Sequence, residues 1–135
     1  MSTWLCVFCL AAIVPAMAAP EPRLVGSKWT VTAIRAEPVK TEPPPTLDFE
    51  AGPAVAGSTG VNRFGGACTI EGDRLTFERF RTTRRAGSPE AMDIERAFLD
   101  ALSASATFRI DPDGHLILLG PDGAPLLKAA PRTGD

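Results

Sequence analysis

The sequence predicts a mainly β domain of the α+β class, an antiparallel barrel or half-barrel of about seven or eight short strands with one amphipathic helix inserted before the last three. Three observations carry that prediction. Short runs alternate apolar with polar or β-branched residues, turn signals centred on Gly separate those runs, and over residues 89–103 the apolar period changes once from that of a strand to that of a helix. A sheet of this size left open would expose its edges, so it is expected to curl on itself, with the helix plugging or flanking it.

The chain has 135 residues, 44% apolar and 22% charged, which suits one domain with one core. From Trp4 to Val14 it is almost unbroken apolar, and Ala16-Met17-Ala18 follows as a small-x-small cleavage pattern. Residues 1–18 therefore read as a secretory signal peptide, 19–25 as a tether, 26–130 as the folded domain and 131–135 as a tail. Cys6 and Cys9 would leave with the signal, and neither stands behind the small-residue pattern of a lipidated Cys. The expected mature protein is soluble, periplasmic or secreted, and not integral to the membrane. It keeps Cys68 alone, which lies among strand residues and is expected to be buried as a small apolar side chain.

In order along the domain, Trp29-Thr30-Val31-Thr32-Ala33-Ile34 is the first strand, with Trp29, Val31 and Ala33 on its buried face. Residues 37–45 read as a loop, because Pro43-Pro44-Pro45 offers no amide to a sheet and stiffens the backbone; a rigid connection is preferred to a docking motif. Leu47-Asp48-Phe49 and Ala54-Val55-Ala56 flank Gly52-Pro53 as a hairpin. Residues 57–66 read as a glycine-rich loop. Ala67-Cys68-Thr69-Ile70 and Leu75-Thr76-Phe77 then form a second hairpin about Glu71-Gly72-Asp73. Ser88 can cap a helix, Pro89 fits its first position and Glu90 meets its dipole. Ala91, Ile94, Phe98, Ala101 and Leu102 make the apolar stripe, with Asp93, Glu95, Arg96 and Asp100 assigned largely to the other faces. Three strands close the chain, from Thr107, His115 and Pro125, joined by Pro112-Asp113-Gly114 and Pro121-Asp122-Gly123 turns.

The stretch Gly57-Ser58-Thr59-Gly60-Val61-Asn62-Arg63-Phe64-Gly65-Gly66, followed by Gly72-Asp73-Arg74-Leu75-Thr76-Phe77, Thr83-Arg84-Arg85-Ala86-Gly87-Ser88-Pro89-Glu90 and Glu95-Arg96-Ala97-Phe98-Leu99, resembles the META/HslJ family. The resemblance begins at Gly26-Ser27-Lys28-Trp29 and reaches the final strand. It implies an envelope-associated or secreted bacterial protein with a small barrel-like domain, connected with heat-shock and antibiotic stress rather than with an enzymatic reaction. Family members commonly carry Cys where this chain has Val61 and Gly87. The joint absence of both is what a pair would produce, and Val61 is then expected to supply packing in place of a bridge.

Charge points to no partner class, since 14 Lys and Arg nearly balance 16 Asp and Glu. Without Tyr, and with the other aromatics assigned to the core, no stacking platform for nucleic acid is legible. Residues 57–66 could cradle phosphate, but a strand follows them instead of a helix N-terminus. Gly57, Gly60, Gly65 and Gly66 are read as permitting positive φ, and Asn62, with Arg63 and Phe64, as a structural motif in which Asn62 bonds loop backbone. Arg79, Arg81, Arg84 and Arg85 form the one dense basic cluster, either a solvated face paired with Glu78, Glu90 and Glu95 or a binding patch. His115 reads as an exposed strand-end residue, and one His with scattered carboxylates is no metal pattern, so no metal or cofactor is expected. The expected function is non-enzymatic: a monomer contributing to envelope stress tolerance by binding a protein, lipid or small hydrophobic ligand. A ligand inside the barrel would lie among Trp29, Phe49, Phe77, Ile94 and Phe98, which are expected to fill that space themselves. The rival is a small envelope hydrolase or transferase using the 57–66 loop through Asn62, Arg63 and a carboxylate.

Overall fold

β1 (Lys28–Ile34) places Trp29 and Val31 inside, and a β-bulge between Val31 and Ala33 then changes the phase of the strand. Ala33 comes to lie opposite the exposed Lys128, and Ile34, opposite Leu127, takes the buried position. The inward set is therefore Trp29, Val31 and Ile34, with Ala33 turned outward, a change that strict alternation cannot anticipate. The computed structural model describes residues 24–132. The signal peptide lies outside the described residues, and the tether reaches the core at Leu24, which is buried.

Arg35 and Ala36 both adopt left-handed backbone, with φ of 49° and 71°, and turn the chain into β2 (Glu37–Pro38), which pairs with Ala33 and Ile34. The segment read as a loop thus contains a two-residue strand, and it ends in a buried Pro45 whose carbonyl accepts the Val31 N–H at 2.9 Å. β3 (Thr46–Glu50) and β4 (Ala54–Ser58) form the expected hairpin, as do β5 (Arg63–Glu71) and β6 (Arg74–Thr82). α1 (Pro89–Ala104) is capped by Ser88, whose Oγ accepts the Ala91 N–H at 3.1 Å. β7 (Thr107–Ile110), β8 (Leu116–Leu119) and β9 (Pro125–Pro131) follow, the two Pro-Asp-Gly turns closing with Gly114 and Gly123 at φ of 88° and 85°.

The sheet runs β2-β1-β3-β4-β5-β6-β7-β8-β9, antiparallel throughout, and β9 returns to pair with β1. The ring is nearly closed. Its thinnest seam is β6 against β7, a single register pair of Arg74 with Thr107, and α1, which connects those strands, packs against β6, β9 and β1. Nine strands replace the expected seven or eight, the extra one being the two-residue β2. Among the described residues no helix is long and apolar enough to cross a membrane.

Inside the ring, Phe64 meets Phe98 edge to face at 5.4 Å between centroids, and Phe49 lies 6.1 Å from Phe77. Trp29, Phe49, Phe77 and Phe98 belong to one buried cluster with Ile94 packed against it, so the side chains around the proposed interior pocket pack on one another.

Residues 57–66 are not one loop. Gly57 is in β4, Gly65 and Gly66 are in β5, and the turn is confined to 59–62. Of the four glycines read as needing positive φ, Gly60 alone has it, at 100°. Gly57 serves close approach instead, since a Cβ there would run into the Thr46 carbonyl.

Candidate functional site

Asn62 ties three segments together. Its Oδ1 accepts the Arg85 N–H at 2.6 Å and the Thr83 hydroxyl at 2.8 Å, while Nδ2 donates to the Arg85 carbonyl at 3.2 Å and to the Glu95 carboxylate, 2.8 Å from Oε2. Thr59, also buried, accepts the Val61 and Asn62 N–H groups on its Oγ1 and sits 3.0 Å from Glu95 Oε2 as a donor. The structural reading of Asn62 is thus extended from the loop to the segment before α1 and to α1 itself. Glu95 overturns its assignment to a solvated face: it is 9% exposed and none of its contacts is with a cation among the described residues. The signal was legible, because residue 95 stands four after Ala91 and three before Phe98, on the apolar stripe.

The rest of the motif is divided between core and surface. Phe64 is buried against Phe98 and Phe80. The exposed Arg63 donates its backbone N–H to Thr83 Oγ1 at 3.1 Å, and with Asp48, Glu50 and Arg132 it borders a shallow depression of about 390 Å³.

Arg79, Arg81, Arg84 and Arg85 are all exposed. Gly65 faces Arg81 and Ala67 faces Glu78, so β6 bulges at Arg79 and Phe80, and Arg79 takes φ of 61°. Arg79 and Arg81 thereby flank Phe80 around a shallow depression, whereas Arg84 and Arg85 lie in the irregular stretch before α1. The expected pairing with Glu78, Glu90 and Glu95 does not form: among the described residues no ion pair joins these arginines to any of the three.

His115 precedes β8 and is half-buried rather than exposed, its Nδ1 3.7 Å from Asp111 Oδ1. Asp113 lies in the same cluster, so two of the carboxylates read as scattered do gather at this His. Asp111 Oδ1, however, accepts the backbone N–H groups of His115 and Asp113, each at 2.9 Å, which closes the turn. Those bonds, that of His115 foremost, hold the Asp111 carboxyl below the usual carboxylate range. Cys68 is buried as expected, and burial pushes its thiol up.

A groove of about 430 Å³ that the sequence did not reveal runs along the outer face of β9. Across neighbouring strands, Arg109 faces Ile117, Ile117 faces Lys128 and Lys128 faces Ala33. Leu116 and Leu118 point inward, so Ile117 points outward, yet it is only 7% exposed and is not part of the central cluster. A third bulge, where Leu118 faces Leu127 and Leu119 faces Pro125, leaves Leu126 as the extra residue of β9. Leu126, buried and packed into the central cluster, borders the groove from the bulge, and its carbonyl accepts the Arg35 N–H at 2.9 Å, tying the left-handed β1–β2 turn to the bulge.

The META domain matches residues 22–132. The chain belongs to the META domain family. Similar folds occur in a protein from Burkholderia xenovorans solved by NMR (20% identity, TM-score 0.65, covering 92% of this chain and all of that one). A DUF4847 family protein from Bacteroides vulgatus, a crystal structure, is also similar (15% identity, TM-score 0.61, 83% of this chain and 96% of that one). No curated protein matches this META chain. The two positions at which the family resemblance implies cysteines are in contact here, since a Cβ at Gly87 would stand 2.9 Å from Val61 Cγ2.

Proposed function

We propose that this META domain is an exported, non-catalytic binding module that contributes to envelope tolerance of heat or antibiotic stress by holding a small hydrophobic ligand on the outer face of β9. The groove carries this reading: it is concave, lined by Ala33, Ile117, Pro125 and Leu126 among others, and of a size that suits a small ligand. The interior is a poorer candidate, since its rings pack on one another. The hydrolase or transferase alternative is weakened by Asn62, whose side-chain oxygen and nitrogen are both committed to holding Arg85, Thr83 and Glu95. Export rests on the apolar run and small-x-small pattern of residues 1–18.

Native mass spectrometry of the protein purified from its exporting cells tests the proposal. A retained mass is expected that is lost on denaturation and absent from Ala33→Trp, which fills the groove from β1. A bare mass for the unaltered protein, or a retained mass that Ala33→Trp leaves in place, refutes it. In cells, Ala33→Trp should complement a deletion poorly under heat or antibiotic stress.

A further inference from the structure

We infer that the ligand of this groove is a monomeric, single-chain anionic amphiphile of the fatty-acid type, its chain lying on Ile117, Pro125 and Leu126 and its carboxylate held among Arg35, Arg109 and Lys128. The inference deepens the groove reading and rests on it.

The charge distribution is the first argument. The chain has a net charge of −2, yet the groove lining contains Arg35, Arg109 and Lys128 and no acidic residue. None of the three cations forms an ion pair among the described residues. A concave apolar surface bordered by such cations is complementary to a molecule with one acidic end and one oily one.

The second argument is that the groove is built. A bulge in β1, a bulge in β9 and two consecutive non-glycine residues with left-handed φ all converge on it. Left-handed backbone at Arg35 and Ala36 costs conformational energy, and the Arg35 N–H bond to Leu126 helps maintain it. Regular alternation through Thr32 would turn Ala33 inward and remove it from the groove wall.

A single molecule is favoured over a bilayer surface. The only large hydrophobic residue that is well exposed among the described residues is Val25, which is not in the groove, so no apolar rim stands ready to enter a membrane.

The test is isothermal titration of the delipidated exported protein with dodecanoate and with dodecanol, and co-sedimentation with phosphatidylglycerol vesicles. Dodecanoate should bind at least about tenfold tighter than dodecanol. Arg109→Gln combined with Lys128→Gln, which leaves Arg35 in place, should narrow that difference severalfold, with an unchanged melting temperature showing the variant to be folded; a difference that stays about tenfold in the folded variant overturns the assignment of the carboxylate to these cations. Equal affinity for the two ligands overturns the anionic assignment and leaves the apolar groove standing. Binding of neither overturns the groove reading and this inference together. Vesicle binding without binding of monomeric dodecanoate overturns it in favour of a membrane surface.

Discussion

Joining Val61 and Gly87 through the double substitution Val61→Cys, Gly87→Cys should create a disulfide without moving the backbone. In a disulfide the Cβ of one Cys lies about 3 Å from the sulfur of the other, a consequence of the ~2.04 Å S–S bond and the angle at sulfur. A Cβ built on Gly87 stands 2.9 Å from Val61 Cγ2 and 3.2 Å from Cγ1, so the valine methyls already occupy the region that a cysteine sulfur at that position would take. The bridge would close a loop of about 26 residues, for which the chain-entropy argument gives roughly 3.5 kcal/mol at 25 °C. Denaturant unfolding of the oxidised and reduced protein should differ by about 3 kcal/mol, with a loss of 2 Da from the intact mass marking the bond. The single substitution Gly87→Cys, with Val61 kept, should destabilise by about 1–3 kcal/mol through overpacking. Thiols that stay free in the folded double variant under oxidising conditions would refute the placement of these two positions. An oxidised form no more stable than the reduced one would refute the energetic reasoning.

Asn62→Ala should cost about 3–5 kcal/mol in urea unfolding, because it strips the buried Glu95 carboxylate of its amide donor and leaves the Arg85 N–H without an acceptor; a loss under ~1 kcal/mol would show the network to be peripheral. The Asp111 carboxyl, held low by the His115 and Asp113 amides, contributes stability that is complete above the ordinary carboxylate range and is lost as pH falls through its folded value. Asp111→Asn should therefore lower stability at neutral pH and flatten its decline in acid, checked by unfolding curves from about pH 6 to pH 2. The Cys68 thiol, pushed up by burial, should resist alkylation at neutral pH until the protein is unfolded, and its linkage runs the other way: the stability it contributes is present below the ordinary thiol range and is lost as pH rises through the folded value. Rapid alkylation in native buffer would place Cys68 at an opening in the barrel.

The strand pattern was legible wherever one rule governed an element. The hairpins at Gly52 and Gly72, the Pro-Asp-Gly turns and the capped α1 each depend on residues a few positions apart, and each appears where local chemistry puts it. What stayed hidden depended on pairing across the sheet. The bulges at Thr32, Arg79 and Leu126 are set by which residue faces which on a neighbouring strand, and a one-residue shift exchanges inside for outside. Ala33 was misplaced for this reason, and the β2 pairing of Glu37–Pro38 was hidden because two residues carry no period.

The same distinction explains why the residues with the most chemical character turned out to be structural. Asn62 and Glu95 stand out by type, but the inward course of the 59–62 turn brings them onto one another, and burial of a carboxylate without a cation is tolerable only if its acceptors are satisfied by donors fixed in place. A side chain so bound is not free to act on a substrate. The groove, by contrast, is composed of ordinary types, alanines, leucines, a proline and three dispersed cations, that no local motif unites. They meet because β7, β8, β9 and β1 are adjacent in the ring, placing Arg109, Ile117, Lys128 and Ala33 in one row from positions far apart in sequence. In a nearly closed antiparallel ring whose interior is filled, concave surface arises where the regular ladder is interrupted, so the bulges that defeated strand periodicity are also the places where a site can form.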